Sequence, residues 1–248
     1  MLTTCSSPIR IKNKSTGEYL FVKCGHCANC RHTYTQSIRR RLDTEIQYSA
    51  STLFITLTYD NYSIPLVTDD GDGHLFAQSK RVETVDLRKY FPNLDVFMPY
   101  VRSSDSTQKY DIAINSKIDV QKFLKRLRRY VEYDKDSLLS NVSQDDREIR
   151  YWFTSEYGPK TFRPHYHGLL FFKDERVAEA VRSNYLFKSW KLCDKRNIDC
   201  QYVFSNASKY VSKYVTLNSK LPYLLQIKPY RTFSLFSRFP TIGCACIS

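Results

Sequence analysis

Two histidines one residue apart, His165 and His167, stand in the run Pro164-His165-Tyr166-His167-Gly168-Leu169-Leu170-Phe171-Phe172. The run reads as a β-strand, in which alternate side chains share a face. Both imidazoles then point one way, roughly 6.5–7 Å apart at Cβ, and Tyr166 points the other. One metal ion can bridge that separation through two neutral nitrogens. Glu156 lies on the preceding predicted strand, 150–156, which a short turn at Gly158-Pro159 joins to the histidine strand. Antiparallel pairing sets its carboxylate beside His165 as a third ligand. Two histidines and a carboxylate leave a coordination position open, as catalytic metal sites do, and suit Mg, Mn or Zn. Gly168, next in the strand, marks a close approach of another backbone or of a ligand.

Further along, Tyr210 and Tyr214 stand four apart in Lys209-Tyr210-Val211-Ser212-Lys213-Tyr214-Val215, a spacing that shares one helix face. The same spacing serves an amphipathic core helix. Here Val211 and Val215 offer an apolar stripe of their own, leaving Tyr210, Lys213 and Tyr214 on a neighbouring face. A phenol with a pKa of about 10 is protonated at neutrality. The Lys213 ammonium favours the phenolate, or offsets a phosphate oxygen. The parts fit a transesterification, in which a metal polarises a phosphodiester and a tyrosine attacks phosphorus to form a phosphotyrosine. The freed 3′-hydroxyl can reseal that bond, and a second tyrosine allows another round. Such a site takes a single or unpaired strand.

The balance of 38 Lys and Arg against 25 Asp and Glu gives a formal net charge of +13, which attracts polyanions. No stretch approaches about 18 consecutive apolar residues, and the first residues lack a secretory signal, so no membrane partner is expected. The eight cysteines then read as thiols or metal ligands rather than as a disulfide framework. Cys24, Cys27 and Cys30 are spaced by two residues each, and with Cys5 they can form a tetrahedral Zn site that staples the N-terminus. Free thiols remain the alternative. For an iron–sulfur run, the spacing and the proline expected around a fourth ligand are missing.

The elements that must position these groups follow from periodicity. Residues 31–49 carry helix formers and the basic patch Arg39-Arg40-Arg41, and 52–59 is a strand rich in β-branched and aromatic residues. Residues 61–116 read as an insertion or extended loop with small hairpins, among them a β-like piece at 81–85. From Lys117, Val120, Phe123, Leu124, Leu127, Tyr130 and Val131 form one helical stripe. The opposite face, with Lys122, Lys125, Arg126, Arg128 and Arg129, either is solvated or lies along phosphates. A helix over 174–190 capped by Asp174, a strand over 200–204 and a tyrosine helix capped by Asn206 complete the pattern. Strands interrupted by amphipathic helices indicate α+β, a central antiparallel sheet with helices packed mainly on one face.

Three motifs resemble those of the HUH endonuclease superfamily, and within it the rolling-circle replication initiators of microviruses, gokushovirus-like single-stranded DNA phages. Phe54-Ile55-Thr56-Leu57-Thr58-Tyr59-Asp60 is similar to the first motif. Ser155-Glu156-Tyr157-Gly158 with Arg163-Pro164-His165-Tyr166-His167-Gly168 is similar to the second, and Tyr210 to Val215 to the third in its two-tyrosine form. The likeness extends to Cys5, the cluster Cys24 to Cys30, residues 119–129 and 237–243. It implies a ferredoxin-like, RRM-like palm whose histidine-bearing sheet faces the tyrosine helix. It implies a nickase and ligase that cuts at a viral origin and stays on the 5′ phosphate through tyrosine. Residue by residue, it implies His165 and His167 as ligands of Mg or Mn, with Glu156 as the third. Tyr210 and Tyr214 become alternating nucleophiles and Lys213 their charged helper.

Arg163, Lys122, Arg126 and Arg129 are the candidate DNA contacts. The expected partners are single-stranded DNA at the origin and the host replication machinery, in the bacterial cytoplasm. The chain then divides into an N-terminal Cys-rich segment with a basic helix (1–50), the nuclease domain (51–230, with 61–116 inserted) and a short tail (231–248), expected as a shortened gene product. Two other readings stand beside this one. One is a plasmid relaxase or transposase with the same metal–tyrosine logic. The other is a non-catalytic, zinc-stabilised protein that binds single strands by stacking bases on its aromatic residues.

Overall fold

Short apolar runs form strands wherever they can pair, and the N-terminus begins with such a pair. In the computed structural model, which describes residues 5–69, 72–90, 92, 111–135, 137–203 and 221–244, β1 (Ile9–Lys12) and β2 (Tyr19–Val22) form an antiparallel hairpin. Helix α1 (Ala28–Tyr48) and strand β3 (Ser51–Leu57) follow. Four short strands come next: β4 (Leu66–Asp69), β5 (His74–Ala77), β6 (Val85–Asp86) and β7 (Asp111–Ala113). Then come α2 (Lys117–Tyr133) and the long hairpin of β8 (Ile149–Tyr157) and β9 (Pro164–Phe172). Helix α3 (Glu175–Ala180) runs through a π turn at Val181–Tyr185 into α4 (Leu186–Ser189). Strand β10 (Asp199–Tyr202), helix α5 (Tyr223–Gln226) and strand β11 (Ser234–Phe236) close the described chain.

The central sheet has the order β10-β3-β9-β8-β11, and every neighbouring pair is antiparallel. Elements β3, α2, β8, β9, α3–α4 and β10 run βαββαβ, with the four strands in the spatial order fourth, first, third, second. That is the ferredoxin-like palm, an α+β fold, with β11 added outside β8. Alternation sends Leu53, Ile55, Leu57, Phe153, Tyr166, Leu170 and Phe172 to one face. There they meet the predicted stripe of α2 and Val177, Val181 and Leu186. Asp174, as predicted, caps α3 by accepting from the Arg176 N–H, and Ser116, which was not predicted, caps α2 by accepting from that of Asp119.

Among the described residues, α1 is the helix that packs on the other face, through Ile38 and Leu42 against Trp152, Leu169 and Phe171. A buried ion pair between Glu45 of α1 and Arg150 of β8 holds it there. Arg150 also donates to the carbonyls of Pro240 (2.9 Å) and Thr241 (3.2 Å), and the Gly243 N–H donates to Glu45 at 2.7 Å. Gly243 sits at φ +77° and so close to α1 that a Cβ would lie 2.7 Å from the Arg41 Cα. Residues 231–244 therefore contribute an edge strand and a clasp on α1.

The described residues between 66 and 113 form more than the hairpins predicted there. Strands β6-β5-β4-β7 make a second antiparallel sheet, whose core of Val67, Leu75, Val85 and Ile112 is shared with Tyr157, Leu225 and Tyr230. The β-like piece predicted over 81–85 becomes strand only at Val85. The Arg81 guanidinium turns inward to Asp119 (3.0 Å) and to the Ser63 carbonyl instead of joining a ladder. At Gly168, the close approach comes from a ring rather than a backbone or ligand. Phe153 stands opposite in register, and a Cβ on Gly168 would lie 2.3 Å from its ring.

Candidate metal centre on the palm

The register of the β8–β9 hairpin sets Glu156 directly opposite His165 and Thr154 opposite His167. On the other side of β9, β3 sets Thr56 opposite His167. His165 and His167 thus share a face with Leu169 and Phe171. Helix α1 covers the Leu169–Phe171 end of that face, and the histidines occupy the other end. One ligand atom from each of Glu156, His165 and His167 lies within 4.8 Å of the others. Nε2 of His165 and Nε2 of His167 stand 3.3 and 3.1 Å from the same Glu156 Oε2.

Hydrogen bonds on the far side of each ring prepare these atoms as ligands. His165 Nδ1 lies 3.2 Å from the Arg163 carbonyl, which can only accept, so the proton belongs on Nδ1 and the Nε2 lone pair is left for the centre. His167 Nδ1 lies 3.2 Å from Thr56 Oγ1, and its ring stacks on Phe54 at 5.8 Å between centroids and 12° between planes. Burial raises the Glu156 carboxyl, but hydrogen bonds and charge from His165 and His167 outweigh it and hold the group at about 2. The carboxylate is therefore ionised at neutral pH. Two imidazole nitrogens and one carboxylate oxygen are a donor set that fits a divalent ion.

Tyr166, between the histidines, points through the sheet as predicted. Its hydroxyl meets Tyr59 Oη at 2.8 Å and accepts from the Ser116 N–H at 2.8 Å. Tyr59 donates to Asp119 at 2.9 Å, and Arg81 pairs with that carboxylate. Burial pushes both phenols far up, so neither is a phenolate near neutrality. They brace the histidine strand against the start of α2.

An open cleft of about 440 Å³ adjoins His165, with Thr58, Arg163, Pro164 and Asn197 in its wall. Arg163 is anchored there by donating to Asn61 Oδ1 (2.8 Å) and the Tyr59 carbonyl (2.6 Å). Lys122, Arg126 and Arg129 lie on α2, hence on the opposite face of the sheet from the histidines. Arg126 donates to the Ser189 carbonyl at 2.7 Å, and Lys122 and Arg129 are exposed. Tyr210, Lys213 and Tyr214 lie outside the described residues, as does the cap Asn206. The second predicted ligand set is also brought together, with the sulfurs of Cys5, Cys24, Cys27 and Cys30 within 4.8 Å of one another. Sequence reasoning placed Phe54 and Thr56 in the first motif but missed their contacts with His167. Their signal was the alternation of Phe54-Ile55-Thr56-Leu57, which sends both to the histidine face once Ile55 and Leu57 are assigned to the core.

No helix among the described residues is long and apolar enough to cross a membrane. The family model for the replication-associated protein ORF2 family matches residues 52–219, more than half of the chain, from β3 through the histidine hairpin and beyond. No curated protein and no solved structure matches.

Proposed function

The chain belongs to the replication-associated protein ORF2 family, and from that premise we propose that it is a metal-dependent HUH-type endonuclease that initiates rolling-circle replication. It nicks and rejoins single-stranded DNA at a viral origin, in the manner of the microvirus initiators. The observation that carries this reading is the convergence of three ligand atoms beside an open cleft, with the Nδ1 side of each imidazole already engaged. A bound Mg or Mn ion supplies charge withdrawal from the scissile phosphate. Everything else falls to the chain. Tyr210 or Tyr214 attacks phosphorus, the P–O3′ bond breaks, and the 5′ phosphate stays on the phenol oxygen while the phenol proton ends on the departing 3′-hydroxyl. Attack by a 3′-hydroxyl on the phosphotyrosine reverses these bonds and reseals the strand. Lys213 offsets charge on the attacking phenol, and Arg163 meets phosphate in the cleft.

The basic face of α2, with Lys122, Arg126 and Arg129, serves a different stretch of DNA from the one at the histidines. The natural setting is a bacterial host cytoplasm and its replication proteins. The experiment is to incubate the intact chain with end-labelled single-stranded origin-like oligonucleotides and Mn or Mg. The expected product is a denaturant-resistant protein–DNA adduct that requires metal. It disappears in the Tyr210→Phe/Tyr214→Phe double variant and persists in Tyr59→Phe. Retarded DNA with no covalent adduct in any metal overturns the enzyme reading in favour of a single-strand binder.

A further inference from the structure

The N-terminal cysteines precede the matched span 52–219 and form a group separate from Glu156, His165 and His167. Cys5 comes from the chain before β1, Cys24 from just after β2, Cys27 is the N-cap of α1, and Cys30, in its first turn, is buried. All four are free thiols. Sγ of Cys24 lies 3.6 Å from that of Cys5 and 4.0 Å from that of Cys30. Four sulfurs at about 2.3 Å from a tetrahedral Zn²⁺ stand roughly 3.8 Å apart, whereas a disulfide needs about 2.05 Å.

Backbone donors point at these sulfurs. The Cys24 N–H points at Cys5 Sγ (3.4 Å), and the His26 and Cys27 N–H groups point at Cys24 Sγ (3.4 and 3.3 Å). The Cys30 N–H points at Cys27 Sγ (3.4 Å). Gly25, at φ +76°, makes the turn that aims two of them. Four sulfurs within reach of one another, none of them in a disulfide and each offered by a separate side chain, form the donor set that a single thiophilic cation takes. Soft anionic sulfur in a closed tetrahedral set selects zinc.

We propose that Cys5, Cys24, Cys27 and Cys30 bind a single Zn²⁺ in a closed structural site that ties the β1–β2 hairpin to the start of α1. The hairpin needs such a tie. Its strands are four residues long, and Ile9, Ile11, Tyr19, Leu20 and Phe21 are exposed, so little apolar burial holds it in place. Helix α1 carries the anchorage on to the palm through the Glu45–Arg150 pair.

The test uses the intact chain. Its metal content is measured after dialysis against EDTA, and the metal is then replaced by Co²⁺. We expect about one zinc per chain after dialysis, and a cobalt form with sulfur-to-metal charge transfer and the intense visible bands of a tetrahedral site. Both signatures survive in the His165→Ala/His167→Ala and Cys193→Ser/Cys200→Ser double variants, and both are lost in Cys24→Ser/Cys27→Ser. Absence of thiolate charge transfer in the intact chain overturns the proposal, even if the cysteine variant fails to fold. Iron with labile sulfide, or zinc retained without Cys24 and Cys27, also overturns it.

Discussion

Each of the two ligand clusters brings its donor atoms within 4.8 Å of one another, yet their surroundings are opposite. The histidine trio stands on two adjacent nine-residue strands in register, its ligands on one side only, with a cleft beside His165. The cysteines come from a chain end, a turn and a helix start, and their sulfurs close around one another. Strands paired along their whole length hold ligand atoms in place with or without an ion, so an ion bound there would be free to act on something else. Loop ends have no such frame, so there an ion would become the frame. Charge follows the same division. Four thiolates overcompensate a divalent cation, whereas two neutral imidazoles and one carboxylate leave it net positive toward a phosphate.

Two substitutions are expected to break the comparison if it is wrong. His167→Ala should lower adduct formation on single-stranded DNA about a thousandfold, the equivalent of roughly 4 kcal/mol of transition-state stabilisation. Its thermal midpoint should move by only a few degrees. Cys27→Ser should do the reverse. Losing the cross-link costs about 3 kcal/mol, roughly 6–12 °C in the midpoint, while the folded fraction still cleaves. Calorimetry and a cleavage assay on the same preparations decide the matter. If both variants lose cleavage in proportion to folding, the two clusters are not functionally distinct.

That contrast was partly legible in the sequence, and the legible part is the local part. His165, His167 and Glu156 lie on one hairpin, so period-two alternation and one short turn sufficed to bring them together. Cys24, Cys27 and Cys30 lie within a single turn and helix start. The stripe of α2 repeats often enough to define its buried face. By contrast, β11 is three residues long and β6 two, too short to show a period. The docking of α1 on the histidine face rests on Ile38, Leu42 and a buried Glu45 among Arg39, Arg40 and Arg41, which read only as a basic helix. Its partner Arg150 is far away in the chain, and no local pattern signals that pairing.

The rigidity attributed to the strands can itself be tested at Gly168. Its place in β9 is closed to a side chain because the Phe153 ring already fills that space. Gly168→Ala should overpack that contact and cost about 1–3 kcal/mol. Adding Phe153→Leu should return part of the loss in urea or thermal unfolding, a coupling that two independent sites would not show. Additive losses would mean that the strand yields at this point, and the claim of a frame that holds without metal would weaken.

The smallest expected effect is the most discriminating. Thr56→Val keeps the shape of the side chain but removes the hydroxyl 3.2 Å from His167 Nδ1. The imidazole still stacks on Phe54, so its plane is held while the preference for one tautomer is weakened. A lost partner on the outer nitrogen of a ligating histidine lowers metal affinity about tenfold, roughly 1.4 kcal/mol. Cleavage by this variant should therefore need more Mn or Mg to reach half its maximum, yet reach nearly the same maximum at saturation. The affinity shift alone would show that the hydroxyl prepares the ligand and does not touch the reaction. If the maximum falls and the metal requirement stays unchanged, Thr56 faces the DNA instead. If neither changes, the paired strands alone suffice to hold His167 ready for the ion.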